Sequence, residues 1–229
     1  MKFRMNARLG LVAFVGCSVL ALTTTRSHAD DALPYYNSAE FTPYWIDKTD
    51  DALAQFHAIP PFSFTDQNGE IVDDATVDNH VYVASFFFST CPGICPTMQS
   101  KLTTVQEHFR DEERVLILSH SIRPDNDTTE VLQAYARRNG VDSERWKLLT
   151  GQQSEIYALA KSAYFANEDL GNIQDLKDFL HTENLLLIDR NRHIRGVYNG
   201  LSSSSVAHLI ADIDVLLDTP RSTMAAVSP

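Results

Sequence analysis

The chain is poor in cysteine: three in 229 residues, Cys17, Cys91 and Cys95. A disulfide-rich scaffold is thereby excluded, and a bridge between the last two would close a loop too short to stabilise much. Long hydrophobic runs are also missing. The apolar stretch from Leu9 to Leu22, about 14 residues, is short for a bilayer span of about 20. Basic residues are scarce, with 19 Lys and Arg against 30 Asp and Glu and a formal charge of −11. That balance argues against nucleic acid, whose phosphates call for Lys and Arg, and against anionic membrane surfaces; it suits a basic protein partner or simply solubility. No repeats, low-complexity segments or long Gly, Pro or Ser tracts interrupt a composition that is 44% hydrophobic, so one globular domain is expected.

What is present begins with a leader. Lys2, Arg4 and Arg8 precede the apolar run, and Ser27-His28-Ala29 then offers a small-x-small cleavage site. Cleavage after Ala29 is expected, giving an exported protein. Two alternatives stay open: lipidation at Cys17, because Val15-Gly16-Cys17 loosely resembles a lipobox, and an uncleaved anchor tethering the chain to the membrane. Removing residues 1–29 leaves 15 basic against 30 acidic residues, a charge of −15. Only Cys91 and Cys95 then remain in an oxidising compartment, and such a pair is more useful chemically than structurally.

The stretch Val81 to Phe109 organises the remainder. Val81 to Phe88 is apolar on both parities and rich in β-branched and aromatic residues, the pattern of a strand covered on both faces. Met98, Leu102, Val105 and Phe109 recur at helical spacing, so Cys91 and Cys95 fall at a strand-to-helix turn. Pro96 suits the first helical position with Cys95 at the cap, where the positive helix end is expected to lower the thiol pKa. Redox chemistry and metal binding both follow from such a pair.

Elsewhere, residues 30–59 read as an extended arm without sustained period. A hairpin is expected where Phe62-Ser63-Phe64 and Glu70-Ile71-Val72 flank Asn68-Gly69. Further strands are expected at Arg114–Ser121, Trp146–Thr150, Leu185–Ile188 and His193–Tyr198. Helices are expected from a start box of Asp127 and Glu130 to Gly140, over Ser154–Lys161, and through Val206, Leu209, Ile210, Ile213, Leu216 and Leu217 to Pro220. Tyr164 to Leu180 reads as an acidic flap. The alternation predicts an α/β domain over residues 60–218, thioredoxin-like, with three layers and an N-terminal β-hairpin, followed by a loose tail over 219–229.

Two thiolates suit Cu(I) or zinc, and an imidazole would complete a three-donor site. His28 leaves with the leader, His208 lies on the last helix, and His57, His80 and His108 lie at loops and helix ends. His120 and His193 flank strands and could serve either purpose. His181, in Phe179-Leu180-His181-Thr182-Glu183-Asn184, stands just before a buried strand, where α/β domains collect functional residues.

Cys91-Pro92-Gly93-Ile94-Cys95-Pro96, the segment Phe179 to Asn184 and Leu148-Leu149-Thr150-Gly151 between them closely resemble the SCO/SenC family of copper-binding cytochrome c oxidase assembly proteins, in order from about Pro60 to Leu217. The resemblance implies copper bound by Cys91, Cys95 and His181. It also implies a copper-receiving oxidase subunit and a thiol reductant as partners, and a location in the periplasm or on the outer membrane face. Arg123-Pro124-Asp125-Asn126-Asp127-Thr128-Thr129 departs from the family's Asp-Pro-x-Arg-Asp-Thr-Pro and alters the charge of a docking loop. The alternative is a periplasmic thiol-disulfide oxidoreductase with Cys91 and Cys95 as redox pair. Against it stand the Cys-x3-Cys spacing, the idle His181 and the absence of proline between Pro124 and Pro220, where thioredoxin-type reductases carry a cis-proline. Phe88, three before Cys91, does not suit a thiol peroxidase, and three ligands leave a structural zinc site incomplete.

Overall fold

The computed structural model describes residues 33–166 and 183–218. The leader, including Cys17, the tail, most of the expected flap, and His181 lie outside the described residues.

Val81–Phe87 forms β3, the middle of a five-stranded sheet. Around it run β4 (Val115–Ser121), β5 (Trp146–Leu149), β6 (Asn184–Ile188) and β7 (Ile194–Asn199), in the order β5-β4-β3-β6-β7. β3, β4 and β5 are parallel, while β6 and β7 are antiparallel to their neighbours. All seven residues of β3 are buried, as its two-sided apolar pattern requires. Tyr82, Ala84 and Phe86 enter one core with Leu116, Leu118 and Ile156 of α4 (Gln153–Ser162). Val81, Val83 and Phe87 enter the other with α2 (Cys95–His108), α3 (Thr129–Asn139) and α5 (Ser203–Asp218). These are the three layers. Ser85 and Ser119, opposite one another in the β3–β4 register, are matched across it: their hydroxyls bond at 2.8 Å, and Trp146 Nε1 donates to Ser119 Oγ at 2.8 Å.

The hairpin appears as β1 (Ser63–Thr65) and β2 (Ile71–Asp73), a separate two-stranded sheet. Its turn needs Gly69 at φ 83°, and Asp66 Oδ1 accepts from the backbone N–H groups of Asn68 and Glu70. Gln67, fully buried, donates to Trp146 O at 2.8 Å and accepts from Leu148 N at 2.7 Å. Its amide thus satisfies the free edge of β5 as another strand would.

The arm is more structured than its sequence suggests. It contains a 3-10 turn at Asp51–Gln55, capped by Asp50, and a bridge between Tyr35 and Tyr44. Tyr36 pairs with Ile194, covering the outer edge of β7. Arg195 fastens the arm, stacking 3.8 Å over the Tyr35 ring and donating to Pro34 O, Leu33 O and the carboxylate of Asp189. A short helix, α1 (Asp74–Val77), also escaped the periodicity, being a single turn closed by a capping box of Asp73 and Thr76.

Three expectations need correction. Helix α3 is capped by Thr128, whose hydroxyl accepts from Val131 N, and not by Asp127; its end at Gly140, φ 66°, agrees. Helix α2 begins with Cys95 itself, capped by Ile94, so Pro96 is its second residue. Tyr164, placed at the start of a mobile flap, is fully buried, with its hydroxyl 3.2 Å from that of Tyr82.

Candidate metal centre

The cysteine loop leaves β3 at its C-terminal end and turns tightly, Cys91 N–H donating to Phe88 O at 3.2 Å. Both cysteines are free thiols. Cys91 is half-buried and touches both cores, whereas Cys95 is 8% exposed and packs with Met98 and Leu102 under the first turn of α2. Cys91 lies close enough to Cys95 to affect its ionisation. Burial first, and Cys91 after it, push the Cys95 thiol up to about 12, outweighing backbone hydrogen bonds that act the other way. The expected lowering by the helix end is therefore overturned: a sulfur one turn inside the core loses more hydration than the dipole returns.

Three further side chains surround the pair. Tyr135 of α3, tilted against Phe87 at 5.5 Å, donates to Gln99 Oε1 at 3.3 Å. Its hydroxyl is held up at about 12 by burial first and then by Cys95, Cys91 and Asp127, so it lies within electrostatic reach of both sulfurs. Asp127, 1% exposed, accepts Ser89 N–H at 3.1 Å, the Ser89 hydroxyl and the Ser121 hydroxyl at 2.6 Å. Arg123, one of the residues that depart from the family pattern, lies 5.5 Å over the Phe88 ring beside the same loop. Nothing in sequence singles out Tyr135. Asp127 carried a visible signal, but its proximity to a helix start attracted the wrong explanation.

The other histidines are drawn elsewhere. His120 is fully buried among Phe62, Phe64, Phe86 and Tyr164. His193 Nδ1 meets His57 O at 2.8 Å, and His57 Nε2 meets Ala163 O at 2.8 Å. Among the described residues, no group of three or more His, Cys, Asp or Glu could hold a metal ion. Strand β6 runs antiparallel to β3, with Ala84 opposite Leu186 and Tyr82 opposite Ile188, so its first residue, Asn184, enters at the sheet end where β3 exits toward Cys91. Gly200 lies here too: a Cβ on it would sit 2.9 Å from Glu183 O and 3.3 Å from Met98 Cγ, so β6, β7 and α2 meet closely at this end.

The SCO1/SenC family model matches residues 50–218. The chain belongs to the SCO1/SenC family. A SCO1/SenC family lipoprotein from Bacillus anthracis is similar at 27% identity over 71% of this chain and 96% of its own, with a TM-score of 0.63. BsSco, a member of the Sco family of cytochrome c oxidase assembly proteins in which a disulfide switch was identified, shows 26% identity over 71% and 95% and a TM-score of 0.62. ScoI of Bradyrhizobium japonicum, solved with copper bound, shares the fold at 22% identity over 69% and 99%, with a TM-score of 0.53. The thioredoxin-like α/β fold of the family is the fold seen here.

Proposed function

We propose that this chain binds copper through the sulfurs of Cys91 and Cys95 and the imidazole of His181, and serves assembly of the dinuclear copper site of cytochrome c oxidase from the periplasm or the outer face of the membrane. The observation that carries this reading is the pair of free thiols four residues apart where the central strand turns into α2, one half-buried and one in the core. Soft sulfur donors held together fit Cu(I) without rearranging the fold. Supporting the third ligand, the chain enters β6 only three residues after His181, at the sheet end that carries the cysteine loop.

Copper is cargo in this reading, and each residue has a part in loading it. Cys91, half-buried, meets the incoming ion. Cys95 closes the site from the core side and must give up its proton as it ligates, so loading releases protons. The receiving partner is the copper-accepting oxidase subunit, and a thiol reductant must restore the dithiol after oxidation. The leader delivers the chain across the membrane or tethers it there. Nucleic acid has no place in the account, because the chain is strongly acidic.

One observation favours a second reading, a thiol-disulfide oxidoreductase: an accessible sulfur backed by a buried one is also the arrangement of an attacking and a resolving thiol. His181→Ala separates the two. The copper reading expects this variant to lose oxidase assembly in cells while both cysteines stay able to exchange disulfides. Retained assembly, with disulfide reduction dependent on the cysteines alone, selects the oxidoreductase.

A further inference from the structure

Asp127 is a buried carboxylate outside the proposed ligand set, and three donors converge on it. Two come from one residue, the backbone N–H and hydroxyl of Ser89, and the third is the hydroxyl of Ser121 at the end of β4. Ser121 Oγ in turn accepts from Arg123 N at 3.1 Å. Asp127 itself is held by its own backbone, its N–H donating to Arg123 O at 2.9 Å. The cluster thus joins the loop after β3 to the loop between β4 and α3, and it does so two residues before Cys91. Helix capping needs none of it, since Thr128 caps α3.

A carboxylate with 1% exposure is costly to bury, and two of the three donors that satisfy it belong to the residue two before Cys91. Cys95 is fixed by helix α2, whereas Cys91 is carried by the loop alone, so the separation of the sulfurs depends on what holds Ser89. We propose that Asp127 is a positioning residue that, through Ser89, holds the sulfur of Cys91 at its working distance from that of Cys95. This rests on the reading of the pair as the working site, in either its copper or its redox form. Loosening the brace lowers the effective concentration of one sulfur at the other, and this affects any state in which both must meet at one point.

The disulfide equilibrium reads this without metal. The dithiol reacts with glutathione disulfide to give the Cys91–Cys95 disulfide and two glutathione thiols; the protein loses two electrons and two protons, and one S–S bond forms as another breaks. In Asp127→Asn the constant for this reaction should fall about tenfold, equivalent to about 30 mV for a two-electron couple. Ser89→Ala, which removes only the hydroxyl, should fall part of the way and serves if Asp127→Asn does not fold. A purely structural Asp127 destabilises oxidised and reduced protein alike and leaves the constant unchanged, because the constant responds only to the difference between them. Unchanged constants in the folded variants, whatever their melting temperatures, overturn the proposal. Because no copper is present, wild-type protein that fails to bind copper would defeat the copper reading and leave this result standing.

Discussion

Asp127 accepts both the backbone N–H and the hydroxyl of Ser89, binding the loop that carries Cys91 to the end of β4. Cys95 needs no such brace, since it opens α2 and is packed beneath it. The two sulfurs therefore differ in mounting as well as exposure, and the difference has consequences in solution.

Cys91 should react first with an alkylating agent. With its thiol pushed up to about 12, Cys95 has on the order of one thiolate in 10^4 at pH 8, and the core shields it as well. Brief treatment of the reduced protein with iodoacetamide, followed by fragmentation mass spectrometry, should find the label on Cys91 at least about tenfold in excess. Equal labelling would mean that the loop opens and exposes both.

Stability should fall in mild acid because of His120. Burial lowers this imidazole to about 4, whereas an exposed one titrates near 6.5. The unfolded chain thus takes up a proton that the folded chain refuses, and stability drops as pH falls from about 6.5 to about 4, by about 3 kcal/mol in all. His120→Phe, in a pocket already lined by Phe62, Phe64 and Phe86, should flatten that slope in urea melts across pH 4 to 7. An unchanged slope would place the acid sensitivity on other groups.

Arg195→Ala should cost about 3 kcal/mol, because it strands the buried Asp189 carboxylate as well as removing the stack on Tyr35. The arm should also become cleavable. Limited proteolysis is expected to cut between residues 33 and 59 in the variant and to spare the wild type; identical digestion patterns would show that the bridge from Tyr36 to Ile194 holds the arm unaided.

Export predicts the mature terminus. Intact-mass measurement should give a chain beginning near Asp30, whereas a diacylated Cys17 would show that the lipobox was the true signal.

Much of the architecture was legible because burial on both faces leaves a plain mark: the apolar runs of β3, β4 and β6, the spacing along α5 and the Asn-Gly turn each report local geometry. Short elements were not, since a single capped turn such as Asp74–Val77 has no period to detect. The cysteine loop was found by its motif, but the state of Cys95 was misjudged. Helix position is visible in sequence, whereas the depth of a sulfur beneath Met98 and Leu102 depends on how α2 lies against β3. Tyr135 was missed for the same reason, being brought to the loop by the packing of α3, whereas Asp127 reads in sequence as a helix start.

The central claim is tested most directly by anaerobic titration with Cu(I) in the presence of a competing chelator. The reduced wild-type protein should bind one equivalent; the Cys91–Cys95 disulfide and the Cys91→Ser and Cys95→Ser variants should lose high-affinity binding, because each lacks at least one sulfur donor; and His181→Ala should bind more weakly by about tenfold while remaining folded. A disulfide form that titrates as well as the dithiol, or a single-cysteine variant with wild-type affinity, would contradict a copper site built on these two sulfurs.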